Sequence, residues 1–198
     1  MTAAMNPAAR VGIHLASDLG EIISELRRIV VQVHSERIGG GAGVIWSPDG
    51  LVVTNAHVAA SPWNHVTLPD GREFDAELLR RDPGLDLAAL RVPVADYLSA
   101  RLRDAQSLRA GELVVAVGNP LGEVGAASVG VVHMRSSRFL AADIHLAPGN
   151  SGGPLADACG RVVGINCMVV NGLGLAIPSN VVQRFLASSW RRAKAESA

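Results

Sequence analysis

The stretch LAPGNSGGPL, residues 146–155, sets one serine among glycines and prolines between two apolar runs. Glycine and proline punctuate any β-rich chain, so this stretch reads first as a tight loop between strands. The apolar runs around it are short and regularly interrupted. From about residue 29 they are IVVQVHS, GAGVIWS, LVVTNAHV, HVTLP, EFDAELLRRD and DLAALRV, separated by turn signals such as SPDG and PDG. After an irregular stretch near 93–110 come ELVVAVG, ASVGVVHMR, RFLAADIHL, GGPLAD, RVVGINCMVV and GLGLAI. This rhythm predicts an all-β plan of two small β-barrels in tandem, over 29–100 and 101–178.

Helices are expected at both ends. In SDLGEIISELRRIV, Leu19, Ile22, Ile23, Leu26, Ile29 and Val30 fall at helical spacing, with Asp18 and Glu21 as a capping pair. That apolar stripe needs a cover, either the body of the protein or another subunit. Residues 1–28 are therefore assigned to an N-terminal segment, mobile through residue 16 and helical after it. Residues 179–198 form a C-terminal helix with Ser179 as N-cap and Val181, Val182, Phe185 and Leu186 on its apolar side.

The totals narrow the function. Eighteen Lys and Arg balance eighteen Asp and Glu, so no basic field is available to hold nucleic acid. Hydrophobic residues make up 48% and charged residues 18%, with mean hydropathy +0.26, which speaks for a packed core. The basic cluster RRAK, residues 191–194, reads as the solvated end of a helix. No window reaches the roughly 18 apolar residues of a membrane span, and no signal-peptide core is present, so a cytoplasmic location is expected, or the envelope if the sequence is a processed form. Cys159 and Cys167 flank one extended segment, too far apart for a disulfide, and are expected to be buried thiols. Two such cysteines make no metal site, and His14, His34, His65 and His133 lack ligand spacing, so no metal or cofactor is expected.

Three polar residues interrupt apolar strands near their ends: His57 in VTNAHVAA, Asp86 in DPGLDLAALRV, and Ser151. Taken singly, His57 fits a packed core residue and Asp86 a turn cap. Together they supply a nucleophile, a base to take its proton and a carboxylate to orient the base. Their chain order, His then Asp then Ser, is that of the double β-barrel proteases and not of subtilisins or α/β-hydrolases. It divides the set between the two predicted barrels and puts the site in the cleft between them. A turn aiming the amides of Gly149 and Ser151 at one point would hold an oxyanion, and Gly149 tolerates the backbone this requires.

TNAHV, DLAAL and PGNSGGP, with VGNPLG at 117–122 and GLGLAIPSN at 172–180, resemble the HtrA/Deg family of trypsin-like serine proteases over about residues 40–186. The resemblance implies a chymotrypsin-like double β-barrel and ATP-independent endopeptidase activity on unfolded or misfolded proteins. It also implies trimeric assembly, which a spare stripe at 19–30 would serve. By motif, His57 becomes the base, Asp86 the orienting acid and Ser151 the nucleophile, with Gly149, Asn150 and Ser151 as the oxyanion turn. The same alignment gives Asn166, Cys167 and Met168 as pocket walls. It places His145 at the base of the primary specificity pocket, where the family more often has a small residue. His145 either packs away and leaves an apolar pocket, or makes a polar pocket for acidic or amide side chains.

The chain ends about a dozen residues beyond Phe185, so no PDZ domain is expected after it. The loops VHMRSSRF and MVVNG are short where the family often carries longer regulatory ones, so a compact, less regulated protease is expected. The alternative is a protease-fold holdase or peptide-binding protein whose site rests in an inactive form.

Overall fold

The computed structural model describes residues 7–35, 39–119 and 125–196, with side chains described between 17 and 188. Residues 1–6, the 120–122 part of VGNPLG, and the side chains of His14 and of the basic cluster 191–194 lie outside the described set.

Among the described residues, twelve short strands are separated by turns. The first six are β1 (Val30–Ser35), β2 (Gly39–Ser47), β3 (Leu51–Thr54), β4 (Trp63–Thr67), β5 (Glu73–Asp82) and β6 (Leu87–Arg91). They close into one antiparallel barrel in the order β1-β2-β3-β6-β5-β4. The second six are β7 (Leu113–Gly118), β8 (Ala126–Arg135), β9 (Leu140–Asp143), β10 (Pro154–Asp157), β11 (Val162–Val170) and β12 (Leu173–Pro178), closed as β10-β11-β12-β9-β8-β7. Helices α1 (Pro7–Arg27) and α2 (Ser179–Glu196) flank them.

Alternation along each strand decides where the barrels touch. Successive side chains point to opposite faces of a strand. In β7, Val114 and Ala116 fill the second barrel with Val132, Leu140, Leu155 and Val163, while Val115 and Val117 face outward. The outward pair meets Val44, Val53, Leu87 and Ala89 of the first barrel. Strands buried on both faces therefore read as unbroken apolar runs rather than as alternating ones. Inside the first barrel, Val31, Val33, Ile45, Val52, Val66 and Leu90 form the core.

Both helices lie on the seam. Leu26 is buried in the inter-barrel cluster and Leu19, Ile22 and Ile23 pack against it, so the α1 stripe is covered by the chain's own body. Val181, Val182 and Phe185 of α2 are buried in the same cluster. Arg80 on β5 stacks on the Phe185 ring at 4.6 Å and donates to its carbonyl at 2.7 Å.

Three expectations change. Helix α1 begins at Pro7, so residues 7–16 are helical and the Asp18–Glu21 pair is internal rather than a cap. Proline suits the first helical turn because its missing N–H has no partner there anyway. Ser179 does not act mainly as a cap: its hydroxyl donates to Arg103 O at 2.6 Å and accepts from Ala105 N at 3.2 Å, pinning α2 to the inter-barrel connection. Cys159 is exposed in the turn between β10 and β11, whereas Cys167 is buried, and both are free.

Candidate active site

The first barrel presents His57 just after β3 and Asp86 just before β6. β3 and β6 are paired, with Thr54 opposite Ala88, so the loops at their adjoining ends are neighbours. Asp86 adopts φ +53°, a left-handed conformation that Asp tolerates better than most residues. Its carbonyl accepts from Asn55 Nδ2 at 3.0 Å, which holds that conformation. Asp86 Oδ1 accepts from the His57 backbone N–H at 3.0 Å, and His57 Nδ1 lies 3.0 and 2.9 Å from Oδ1 and Oδ2. An ionised carboxylate has only acceptors, so Nδ1 carries the proton and Nε2 is left as the acceptor. Arg81 Nε donates to Ala56 O at 2.8 Å and braces the histidine loop from below.

The second barrel presents Ser151 in the turn between β9 and β10. This turn is fastened to the first barrel: Ala42 N donates to Ser151 O at 2.8 Å, and Thr54 Oγ1 donates to Ala42 O at 2.7 Å. Gly152 has φ +86°, and a Cβ there would lie 2.0 Å from Ala42 O and 2.3 Å from Thr54 Oγ1, so only glycine fits. Asn166 pairs back onto the turn through Gly152 N to Asn166 O at 2.9 Å and Asn166 N to Gly153 O at 2.8 Å. Asn119 N donates to Gly149 O at 3.1 Å while its Nδ2 donates to Val31 O at 3.1 Å, clamping the turn to both barrels.

Gly149 sits at φ +102°. Asn150 is buried and its amide donates to Ala147 O at 3.0 Å. Among the described residues no acceptor takes the amides of Gly149 or Ser151. Of the three residues expected to form an oxyanion turn, these two therefore offer free donors and Asn150 supports the turn. The Ser151 hydroxyl donates to Cys167 O at 3.1 Å rather than to His57.

Next to Ser151 opens a cavity of ≈ 510 Å³ lined by Leu146, Ala147, Pro148, Cys167, Met168 and Val169, with Asn150 and Ser151 at its edge. Cys167 and Met168 are thus at the wall. Asn166 is buried behind it, donating through Nδ2 to Pro154 O at 2.9 Å. His145 is exposed and does not line the cavity; the apolar Leu146 does.

Burial works against charge on Asp86, but the donors from His57 and Cys167 outweigh it and hold the carboxyl below its ordinary range. Burial, followed by the Asp86 carboxylate 3.2 Å away, pushes the Cys167 thiol up to about 12. Among the described residues no group of three His, Cys, Asp or Glu side chains gathers to hold a metal ion.

Several supporting residues are not marked by sequence pattern alone. Asn55 and Asn119 lie inside quoted motifs, and a buried amide ending an apolar strand is the signal that could have singled them out. Thr54 and Leu146 leave no such signal.

The model of the trypsin-like peptidase domain matches residues 41–165. A probable periplasmic serine endoprotease, DegP-like, of Chlamydia trachomatis is 35% identical over 162 residues, covering 74% of this chain and 33% of that protein. The serine protease HTRA1A of Danio rerio is 34% identical over 181 residues, covering 84% of this chain and 38% of that protein. The chain thus spans about a third of the length of these curated relatives. Among solved structures, the HtrA-type protease AlgW with a decapeptide superposes with TM-score 0.80 at 27% identity, over 87% of this chain and 67% of that one. Two closed barrels joined along one seam, and a matching domain model that runs from β2 into β11, lead to one assignment: the chain belongs to the trypsin-like peptidase family, as an HtrA-type protease domain.

Proposed function

We propose that the protein is a serine endopeptidase that cleaves unfolded or misfolded proteins, with His57 as base, Asp86 as orienting acid and Ser151 as nucleophile. The observation that carries this reading is the His57 Nδ1–Asp86 pair at 2.9 Å, facing a serine turn fastened to the same barrel by the Ala42–Ser151 bond. Asp86 fixes the tautomer that leaves Nε2 free to take the Ser151 proton as Oγ attacks the peptide carbonyl. The Gly149 and Ser151 amides receive the oxyanion of the tetrahedral intermediate. His57 then protonates the departing amine, and water hydrolyses the acyl-serine ester by the same route in reverse.

The apolar wall of Leu146, Ala147, Pro148, Met168 and Val169 favours a small or medium aliphatic side chain beside the scissile bond. With His145 exposed away from this wall, a polar pocket has no support. Incubating an unfolded protein with the wild type and with Ser151→Ala tests the assignment: cleavage is expected only from the wild type, and equal cleavage by both removes Ser151 as nucleophile.

A second reading is favoured by one bond. The Ser151 hydroxyl rests on the Cys167 carbonyl, so the site as it stands is not poised for attack. A resting form that awaits substrate, or a holdase, fits that geometry. Suppression of aggregation without cleavage by either wild type or Ser151→Ala marks the holdase.

The α1 stripe is covered by the chain's own core and lends no support to the homotrimer that the family resemblance implies; light scattering decides it. No described helix is long and apolar enough to cross a membrane. The relatives named periplasmic favour the envelope over the cytoplasm, which cell fractionation tests.

A further inference from the structure

A second cavity, of ≈ 410 Å³, opens where α2 meets the β5–β6 and β8–β9 turns, and it shares no lining residue with the cavity beside Ser151. Its floor is apolar, made by Phe139 just before β9, Ile177 of β12, and Val181 and Phe185 of α2. Val181 and Phe185 are four residues apart, so they share one face of the helix. Leu85, immediately before Asp86 in the chain, adds an apolar side chain that is 37% exposed. The surroundings are fixed: Arg80 stacks on the Phe185 ring at 4.6 Å, and Asp82 Oδ1 accepts from the amides of Gly84 and Leu85, both at 3.0 Å.

Two arginines border this floor. Arg138 stands on the β8–β9 turn, which Ser136 closes: its N–H donates to Phe139 O at 2.8 Å and its Oγ accepts from Phe139 N at 3.0 Å. Arg184 stands on α2. Both are exposed, and among the described residues neither guanidinium has a carboxylate partner. Arg138 lies over the ring of its neighbour Phe139, 5.9 Å from the centroid. The carboxylates of the β5–β6 turn are engaged elsewhere, Asp82 on the turn amides and Asp86 on His57. By contrast Arg72, Arg91, Arg103 and Arg161 each pair with a carboxylate. An apolar hollow with a few convergent charged groups is the usual form of a ligand site.

We propose that this cavity is an exosite for unfolded chain, taking a segment in which acidic residues flank a large apolar side chain. The apolar group fills the floor, and the carboxylates pair with Arg138 and Arg184. The proposal rests on the endopeptidase reading above, to which it adds a second hold on the substrate away from the scissile bond. Each guanidinium offers a carboxylate two parallel N–H donors. A small anion alone would satisfy the arginines but leave the apolar floor in water. An unfolded chain brings large apolar side chains uncovered, whereas a folded partner keeps most of them in its core. A second hold raises the local concentration of the chain at Ser151, so it acts on KM and not on kcat.

The probe is a fluorophore-labelled peptide with Asp-Phe-Asp in a Gly-Ser background, its controls carry Asn-Phe-Asn and Asp-Ala-Asp, and anisotropy reads binding. Asp-Phe-Asp is expected to bind about tenfold more tightly than either control, equally in wild type and Ser151→Ala, and more weakly as salt rises. Arg138→Ala and Arg184→Ala should each weaken it about 3–10-fold. Arg135→Ala, exposed at the end of β8 but outside the cavity, should leave it unchanged. The double variant Arg138→Glu with Arg184→Glu should prefer Lys-Phe-Lys instead, a gain that a misfolded protein would not show. Equal binding of the three peptides, or a preference that survives both arginine substitutions, overturns the exosite. So does light scattering that shows a dimer broken by Arg184→Glu with no peptide bound, which would give the cavity to a second copy. Placed beside a cleaved sequence, Asp-Phe-Asp should lower KM about 3–10-fold at unchanged kcat. Peptide binding without cleavage of any substrate would sink the endopeptidase reading and leave the peptide site standing.

Discussion

Replacing Asp86 by Asn removes one charge and one acceptor while keeping the shape of the side chain. Asp86 Oδ1 now accepts from the His57 backbone N–H, and both oxygens face Nδ1. If the Asn oxygen keeps the backbone bond, its NH2 group faces Nδ1 and the Cys167 thiol. Nδ1 must then become the acceptor, which puts the proton on Nε2 and leaves no base for Ser151. The opposite amide orientation sets NH2 against the backbone N–H and leaves a donor unmatched, at about 1–3 kcal/mol. The imidazolium formed during attack also loses its counter-charge, which near a protein surface is worth up to about 4 kcal/mol at 4 Å and less where water screens it. His57 is half exposed, so the sum falls at about 4–5 kcal/mol, or roughly 10³–10⁴ in kcat at about 1.36 kcal/mol per decade. Steady-state cleavage of an unfolded protein reads the rate, and the melting temperature checks that the fold survives. A folded variant losing less than about tenfold would refute Asp86 as the residue that sets the His57 tautomer.

Three further outcomes follow from the same geometry. Gly152→Ala sets a Cβ 2.0 Å from Ala42 O at positive φ; it should cost about 2 kcal/mol or more, lower Tm by about 4–8 °C, and reduce cleavage more than 10²-fold by shifting Ser151, whereas wild-type melting would contradict the packing of the turn. Arg103 and Arg109 hold the Glu112 carboxyl down to about 2, and buried Asp157 is also held low by Arg161 and Arg103. The stability these depressed carboxyls contribute is present above about pH 4 and is lost as pH falls toward 2, so Arg103→Ala should melt a few degrees lower at pH 7, with the gap closing below pH 3; a pH-independent gap would show that the ion pairs are not its source. In a peptide library varied at the residue before the cut, aliphatic side chains should dominate and His145→Ala should leave the profile unchanged; a preference for Glu or Gln that His145→Ala abolishes would restore the polar pocket.

The twelve described strands are legible in the sequence because turn residues separate them: β6 and β7, buried on both faces, read as unbroken apolar runs, whereas β5 alternates exposed with partly buried residues, and the helices show apolar residues at helical spacing. The residues proposed as the triad, His57, Asp86 and Ser151, are legible because each sets a polar side chain beside an apolar run. The start of α1 is not, since residues 7–16 show no periodicity. The wall of the cavity is set by neither rule. Its Leu146 lies in the irregular stretch 144–147 beyond the end of β9, where no strand alternation or turn signal marks which side chain faces the cavity, and His145 beside it is exposed. The thiol contact to Asp86 is equally silent, since it arises from a one-residue slip in strand pairing that no local pattern announces.

The central claim is that Ser151, activated by His57, is the nucleophile. Treating the folded protein with a fluorophosphonate in the presence and absence of a competing unfolded substrate, then mapping the adduct by mass spectrometry, tests it most directly. The expected result is one adduct on Ser151, reduced by the substrate and lost in His57→Ala. Cleavage of the substrate by a protein whose Ser151 stays unlabelled would contradict the account.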